Sequence, residues 1–177
     1  MILLQRENLT AVLNSIIMND KEKIKIFLVD DDEMFVDSMK HSLLGKRREI
    51  TTFSSGEDCI KSLMEQPQIV VLDYVLNDTL NGVQVLNQIK QASPETQVII
   101  LSGIENEDIM QDTLKYGAYD FIEKGESAIY KLKKEISAIC DEIESENEIK
   151  KDDNRMLWIN AWIFVLLTVA FILTHVK

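Results

Sequence analysis

Short apolar runs alternate with longer amphipathic stretches over the central part of the chain. The apolar runs lie at residues 24–29, 49–53, 68–72, 97–101 and 119–122. The amphipathic stretches that follow them cover residues 33–44, 56–65, 82–91, 105–116 and 126–145. Strands that are apolar on both faces and alternate with helices are typical of a parallel sheet covered on both sides. The pattern therefore predicts an α/β fold with a doubly wound, five-stranded parallel sheet.

The C-terminal pattern is different, because no charged residue occurs between Arg155 and Lys177. A helix of this length would extend about 30 Å, which is the thickness of the hydrocarbon layer of a bilayer. Trp158 and Trp162 lie near its start, where interfacial aromatic residues often occur. The sequence thus predicts one transmembrane helix over residues 156–176.

Basic residues flank this segment unequally. Three precede it and one follows it together with a histidine: Lys150, Lys151 and Arg155 before, and His175 and Lys177 after. Because positive residues favour the cytoplasmic side, the predicted location is the cytoplasmic membrane, with the N-terminal part of the chain in the cytoplasm.

The net charge and the cysteine content bear on the class of partner and on the redox compartment. The net charge of −11 over 177 residues leaves no basic face for phosphate neutralisation, so a nucleic-acid partner is excluded. Cys59 and Cys140 are far apart in sequence and show no metal-ligand spacing, which favours buried thiols in a reducing compartment.

Two segments flank the central pattern. Residues 1–22 form an N-terminal extension with a helical apolar face, and either this helix packs on the domain or the membrane, or Met18 is the true start. Residues 141–155 are highly charged and predict a helical or flexible linker. Between them, apolar residues recur at alternating spacings of three and four: Ile129, Leu132, Ile136, Ile139 and Ile143. This stripe is the sheet-packing face of the last helix, or part of a homodimer through the last helices.

Polar residues occur where the predicted strands end. Asp30 and Asp31 follow the first strand, Asp73 the third, Ser102 the fourth and Lys124 the fifth. Ligands of such sheets bind at the carboxyl ends of the strands, so these side chains should meet at one edge. Clustered carboxylates need a cation, and oxygen ligands suit Mg²⁺. The sequence therefore predicts a magnesium site at this edge of the sheet.

With these residues in this order, residues 23–140 resemble the receiver domain of two-component response regulators. The resemblance implies a flavodoxin-like receiver fold and a phosphorelay in which Asp73 accepts a phosphoryl group. The implied partner is a sensor histidine kinase or phosphotransfer protein, and the implied cofactor is Mg²⁺.

The resemblance also assigns roles to individual residues. Asp73, Ser102 and Lys124 are the implied catalytic residues, and Asp73 is the implied phosphorylation site. The implied metal ligands are the carboxylates of Asp30, Asp31 and Asp73 and the backbone carbonyl of Val75. Ser102 and Phe121 are the implied switch residues, whereas Asp32 is interpreted as the N-cap of the following helix.

Two positions and one loop length depart from the family pattern. Asn77 stands where the family usually has proline, and the loop before Gly82 is one residue longer. Gly125 follows Lys124, where a proline is usual. These departures bear on switching more than on the chemistry, because all of the site residues are present.

The leading hypothesis is a membrane-anchored, single-domain receiver that signals by protein contact. Its expected activity is Mg²⁺-dependent self-phosphorylation and self-dephosphorylation on Asp73, with no separate catalytic output domain. The alternative is a receiver-fold interaction module at the membrane that works without phosphorylation.

Overall fold

A computed structural model describes residues 23–77, 80–103 and 106–175, with the backbone alone described for residues 154 and 169–175. Five strands form one parallel sheet: β1 (Ile24–Val29), β2 (Arg48–Phe53), β3 (Ile69–Asp73), β4 (Gln97–Ser102) and β5 (Asp120–Glu123). Their order is β2-β1-β3-β4-β5. The predicted five-stranded parallel sheet is confirmed.

Helices follow each strand. They are α1 (Glu33–Leu43), α2 (Gly56–Lys61), α3 (Gly82–Ala92), α4 (Glu107–Lys115) and α5 (Ala128–His175), and a 3₁₀ turn over Ser62–Glu65 extends α2. The amphipathic stretch at 56–65 was predicted as one helix, but it tightens after Lys61 and ends at Gln66, whose φ is 57°. The predicted starts of α1, α2 and α3 agree with the observed ones.

The central strands are apolar on both faces, as expected for a covered parallel sheet. Every residue of β3 is buried, and β1 and β4 are buried over most of their lengths. One cluster of this core joins β1, β3 and β4 to Val85, Leu86 and Ile89 of α3. These buried strands therefore form a well-packed core, and the polar residues lie at their carboxyl ends.

Side-chain caps fix where the helices begin. The carboxylate of Asp32 accepts hydrogen bonds from the backbone N–H groups of Met34 and Phe35, at 3.0 and 3.1 Å. The predicted role of Asp32 as an N-cap is confirmed. Asn81 caps α3 reciprocally with Gln84, which fixes the end of the loop that follows β3.

Both cysteines are buried thiols, in agreement with the sequence. Burial raises the pKa of Cys59 to about 12, so this thiol stays protonated at neutral pH.

The described residues form two compact units, one up to Lys134 and one from Glu135 onward. The predicted extension at residues 1–22 lies outside the described residues. In the second unit, residues 141–155 are helical, and they belong to α5.

The transmembrane helix predicted for residues 156–176 is not confirmed. Over the part of the chain that the structure describes, no helix combines the length and the apolar character that crossing a membrane requires. The side chains of residues 169–176 are outside the described ones, so the second half of the predicted span lies beyond this comparison. Membrane attachment stays a prediction.

Candidate functional site

Backbone hydrogen bonds hold the strand ends in place at the carboxyl edge of the sheet. The N–H of Asp30 donates to the carbonyl of Phe53 at 3.1 Å, and the N–H of Tyr74 donates to that of Leu101 at 2.7 Å. The N–H of Lys124 donates to the carbonyl of Ser102 at 2.7 Å. The polar residues that follow the strands are thus carried on fixed backbone.

Three carboxylates meet at this edge. One oxygen atom each of Asp30, Asp31 and Asp73 lies within 4.8 Å of the others. Asp30 and Asp73 are buried, and Asp31 is half-buried. The predicted convergence of these three residues is therefore observed.

Lys124 lies between the two buried carboxylates. Its Nζ is 2.8 Å from Oδ2 of Asp30 and 2.7 Å from Oδ2 of Asp73. The Lys124 side chain is 22% exposed, so these ion pairs are mostly shielded from solvent. The ammonium group also lies 5.0 Å from the ring centroid of Phe35, a distance at which a cation–π interaction is favourable.

Burial and neighbouring charges have opposite effects on the pKa values of Asp73 and Lys124. Burial raises the pKa of Asp73, the charge of Asp30 adds to this effect, and the Lys124 ammonium opposes it. Burial by itself would lower the pKa of Lys124, but the nearby carboxylates of Asp30 and Asp73 give a net rise. Lys124 therefore stays a cation at neutral pH, and its charge opposes the rise in the pKa of Asp73.

The donor set fits a hard divalent cation. Oδ2 of Asp30 is buried, and although it faces Lys124, it accepts no well-aligned hydrogen bond from the described residues. Among the described residues, one backbone N–H donates to each of the two buried carboxylates, from Asp32 to Asp30 at 3.0 Å and from Val75 to Asp73 at 3.2 Å. Oxygen atoms with spare acceptor capacity at this spacing suit Mg²⁺.

Of the other predicted site residues, Ser102 and Val75 lie at the same edge of the sheet, and Phe121 lies earlier on its strand, paired with Ile100 of β4. Ser102 is the last residue of β4 and is fully buried. Phe121 is partly buried on β5 and packs against the core cluster. Val75 is 50% exposed and lies two positions after Asp73. Their roles as switch residues and as a carbonyl ligand stay predictions.

Two contacts of the site were not predicted from the sequence. Phe35, on α1, covers the ammonium group of Lys124. Asn77 donates a hydrogen bond from its amide to Oδ2 of Asp31, across a separation of 46 residues. In the sequence, Asn77 stands out only as the residue in place of a usual proline, although a polar residue four positions after Asp73 is a usable signal.

With this geometry, comparison with known proteins defines the class. The model of the response regulator receiver domain matches residues 26–137. The chain belongs to the response regulator receiver domain family.

Several curated regulators are similar over this region. The chain is 30% identical to the DNA-binding transcriptional regulator NtrC of Klebsiella pneumoniae over 98 residues, which is 55% of this chain and 21% of that protein. It is 31% identical to the alkaline phosphatase synthesis transcriptional regulatory protein PhoP of Bacillus subtilis over 101 residues, which is 56% of this chain and 42% of that protein. The match thus spans less than half the length of these relatives.

Solved structures agree with the fold. The signal receiver domain of a LuxO repressor protein from Vibrio parahaemolyticus superposes with a TM-score of 0.65 at 25% identity, covering 72% of this chain and 97% of that one. The response regulator DrrB of Thermotoga maritima gives a TM-score of 0.61 at 28% identity, covering 68% of this chain and 54% of that one.

Proposed function

We propose that this chain accepts a phosphoryl group on Asp73 from a histidine kinase or phosphotransfer protein, and that it signals through protein contacts. The observation that carries the proposal is the position of Asp73, which shares a 4.8 Å cluster with Asp30 and Asp31 and lies 2.7 Å from Lys124. A carboxylate with a cation on one side and metal-ligand oxygens on the other is suited to taking up an anionic group.

The proposed step exchanges one bond to phosphorus for another. An oxygen atom of Asp73 forms a bond to phosphorus while the bond between phosphorus and the donor histidine nitrogen breaks. The electron pair of the broken bond leaves with the imidazole, which then takes up a proton. Because the transition state of phosphoryl transfer is loose, the protein contributes mainly by positioning and charge neutralisation.

Each residue at the edge of the sheet has a place in this step. Asp30, Asp31 and Asp73, with the carbonyl of Val75, would hold the Mg²⁺ ion, which when bound neutralises charge on the phosphoryl oxygen atoms. Lys124 would pair with a phosphoryl oxygen atom, and the hydroxyl of Ser102 would donate to another.

Signalling would follow from the new charge. The acyl phosphate adds acceptor oxygen atoms beside β4, which favours a shift of Ser102 toward them. Phe121, on the neighbouring strand β5, would follow that shift.

The full chain should gain the mass of one phosphoryl group when it is incubated with acetyl phosphate and Mg²⁺. The expected product is labile to base, as an acyl phosphate is, and chelation of the metal should prevent its formation. Intact-mass spectrometry measures the gain. An unchanged mass with Mg²⁺ present would instead favour the module that works without phosphorylation.

We propose further that residues 156–176 attach the chain to a membrane. Ten large apolar side chains between Met156 and Leu167 are exposed, each by at least 45%. They are almost consecutive, so they occupy all sides of this short part of the helix, and exposed apolar side chains on every side favour an apolar environment. The basic residues at 150, 151 and 155 favour the receiver domain on the cytoplasmic side.

The chain should stay in the membrane fraction through high-salt and carbonate washes. Replacing Phe164 and Leu167 together by lysine should release it, because each buried charge costs insertion about 2.5–3.5 kcal/mol. Met64→Lys changes an apolar residue that is 93% exposed on the receiver domain, and it serves as the control. Release of the unmodified chain by salt alone would contradict membrane attachment.

A further inference from the structure

Two contacts fix the ends of the loop after β3. The carbonyl of Tyr74, at the start of the loop, accepts a hydrogen bond of 3.0 Å from the N–H of Gly82, the first residue of α3. A Cβ atom on Gly82 would lie 2.7 Å from the Cα atom of Tyr74, so only glycine permits this approach. At the end of the loop, Asn81 is held in place as the N-cap of α3.

The residue before Asn77 is anchored as well. Leu76 is 8% exposed and belongs to the core cluster. Asn77 itself is exposed. A buried residue followed directly by an exposed one sets the direction in which the Asn77 side chain leaves the backbone, and this direction leads to Asp31.

The contact between Asn77 and Asp31 has a definite polarity. The amide NH₂ of Asn77 donates to Oδ2 of Asp31, and the reverse orientation would place a carbonyl oxygen against a carboxylate. A hydrogen bond to an ionised acceptor is stronger than a neutral one.

Asp31 depends on this contact more than the other two acids depend on any single donor. Asp30 and Asp73 each accept a backbone N–H and face Lys124. Within the described part of the chain, Asn77 is the one group found to donate to the carboxylate of Asp31. A half-buried carboxylate without such a donor would sample several rotamers.

We infer that Asn77 is a positioning residue, which orients the Asp31 carboxylate for a divalent cation at the carboxyl edge of the sheet. One oxygen atom accepts the amide, and the carboxylate then presents its remaining lone pairs to the cluster. Donors that orient metal-binding carboxylates in this way commonly contribute 10–100-fold to metal affinity. The inference rests on the proposed function, because it concerns the metal site of that function.

The test is the affinity of the full chain for Mg²⁺, measured by isothermal titration calorimetry without any phosphoryl donor. Asn77→Ala and the near-isosteric Asn77→Leu should both weaken binding about tenfold, since neither can donate to Asp31. Asn81→Ala is the matched control, because it removes an asparagine of the same loop that caps α3. It should lower stability and leave the affinity for Mg²⁺ within about twofold.

A double substitution separates positioning from a general effect on the loop. In an Asp31→Ala background, Asn77→Ala should cause no further loss of Mg²⁺ affinity, because the carboxylate that it orients is gone. Unchanged or tighter binding by Asn77→Ala in the otherwise native chain would overturn the inference, and tighter binding would identify the amide as a competitor of the cation. If the native chain binds no Mg²⁺, the metal site of the proposed function fails, and the positioning role fails with it.

Discussion

The Asp73→Asn variant is expected to lose phosphoryl uptake completely and to keep its fold. An amide lacks the anionic oxygen atom that attacks phosphorus, so the rate should fall at least about a thousandfold, which corresponds to ~4 kcal/mol of barrier. Incubation with acetyl phosphate and Mg²⁺ followed by intact-mass measurement checks this. Uptake at the native level would show that Asp73 is not the acceptor.

The same substitution should raise the stability of the metal-free protein at neutral pH. Burial raises the pKa of Asp73 in the folded state, so over the range between its unfolded and folded values the folded state binds more protons. The free energy of unfolding therefore falls as pH rises through this window, and the loss persists above it. Because asparagine does not titrate, Asp73→Asn should remove this part of the pH dependence, as urea unfolding at several pH values would show.

Asp58→Asn provides a control on the surface. Asp58 is exposed and pairs with Lys61 at 2.7 Å, and hydrogen bonding to Lys61 lowers its pKa. Its charged form is favoured by folding, which is the opposite of the situation of Asp73. Substitution there should leave phosphoryl uptake unchanged, and it should not raise stability at neutral pH.

The carboxyl edge of the sheet could be predicted because its signals are local. Each strand is an apolar run with polar residues at its end, and β1 has the predicted bounds, Ile24–Val29. Once the strands are parallel, their carboxyl ends must share one edge. This is why Asp30, Asp31, Asp73 and Lys124 could be placed together from residue order alone.

Contacts that depend on the path of a loop could not be predicted. The amide of Asn77 reaches Asp31 because Leu76 is buried and Gly82 approaches Tyr74 closely, and none of these distances has a periodic signal in the sequence. The covering of Lys124 by Phe35 likewise depends on how α1 packs. Such contacts belong to the tertiary arrangement, so they were found only in the structure.

Lys124→Met is expected to destabilise the metal-free protein by about 2–3 kcal/mol. This value is lower than the cost of breaking a fully buried ion pair, because the Lys124 side chain is partly exposed. The change removes the ammonium group that lies 2.7–2.8 Å from Asp30 and Asp73, and it leaves an apolar side chain of similar length beside Phe35. Two buried carboxylates would then face each other without a cation, and the pKa of Asp73 would rise further. The loss should consequently be largest at neutral pH and smaller in acid, where one carboxylate is protonated.

Millimolar Mg²⁺ should restore most of the stability that Lys124→Met removes, because a cation that binds only the folded state stabilises it by mass action. Lys61→Met is the matched control, since it breaks an exposed lysine–aspartate pair whose side chains are 73% and 61% exposed. Breaking such a surface pair should change the free energy of unfolding by less than about 1 kcal/mol, with or without Mg²⁺. Urea unfolding of both variants in chelator and in Mg²⁺ measures these differences. A Lys124→Met variant as stable as the native chain in chelator, or one that Mg²⁺ stabilises no more than it stabilises Lys61→Met, would contradict a carboxylate cluster held together by competing cations.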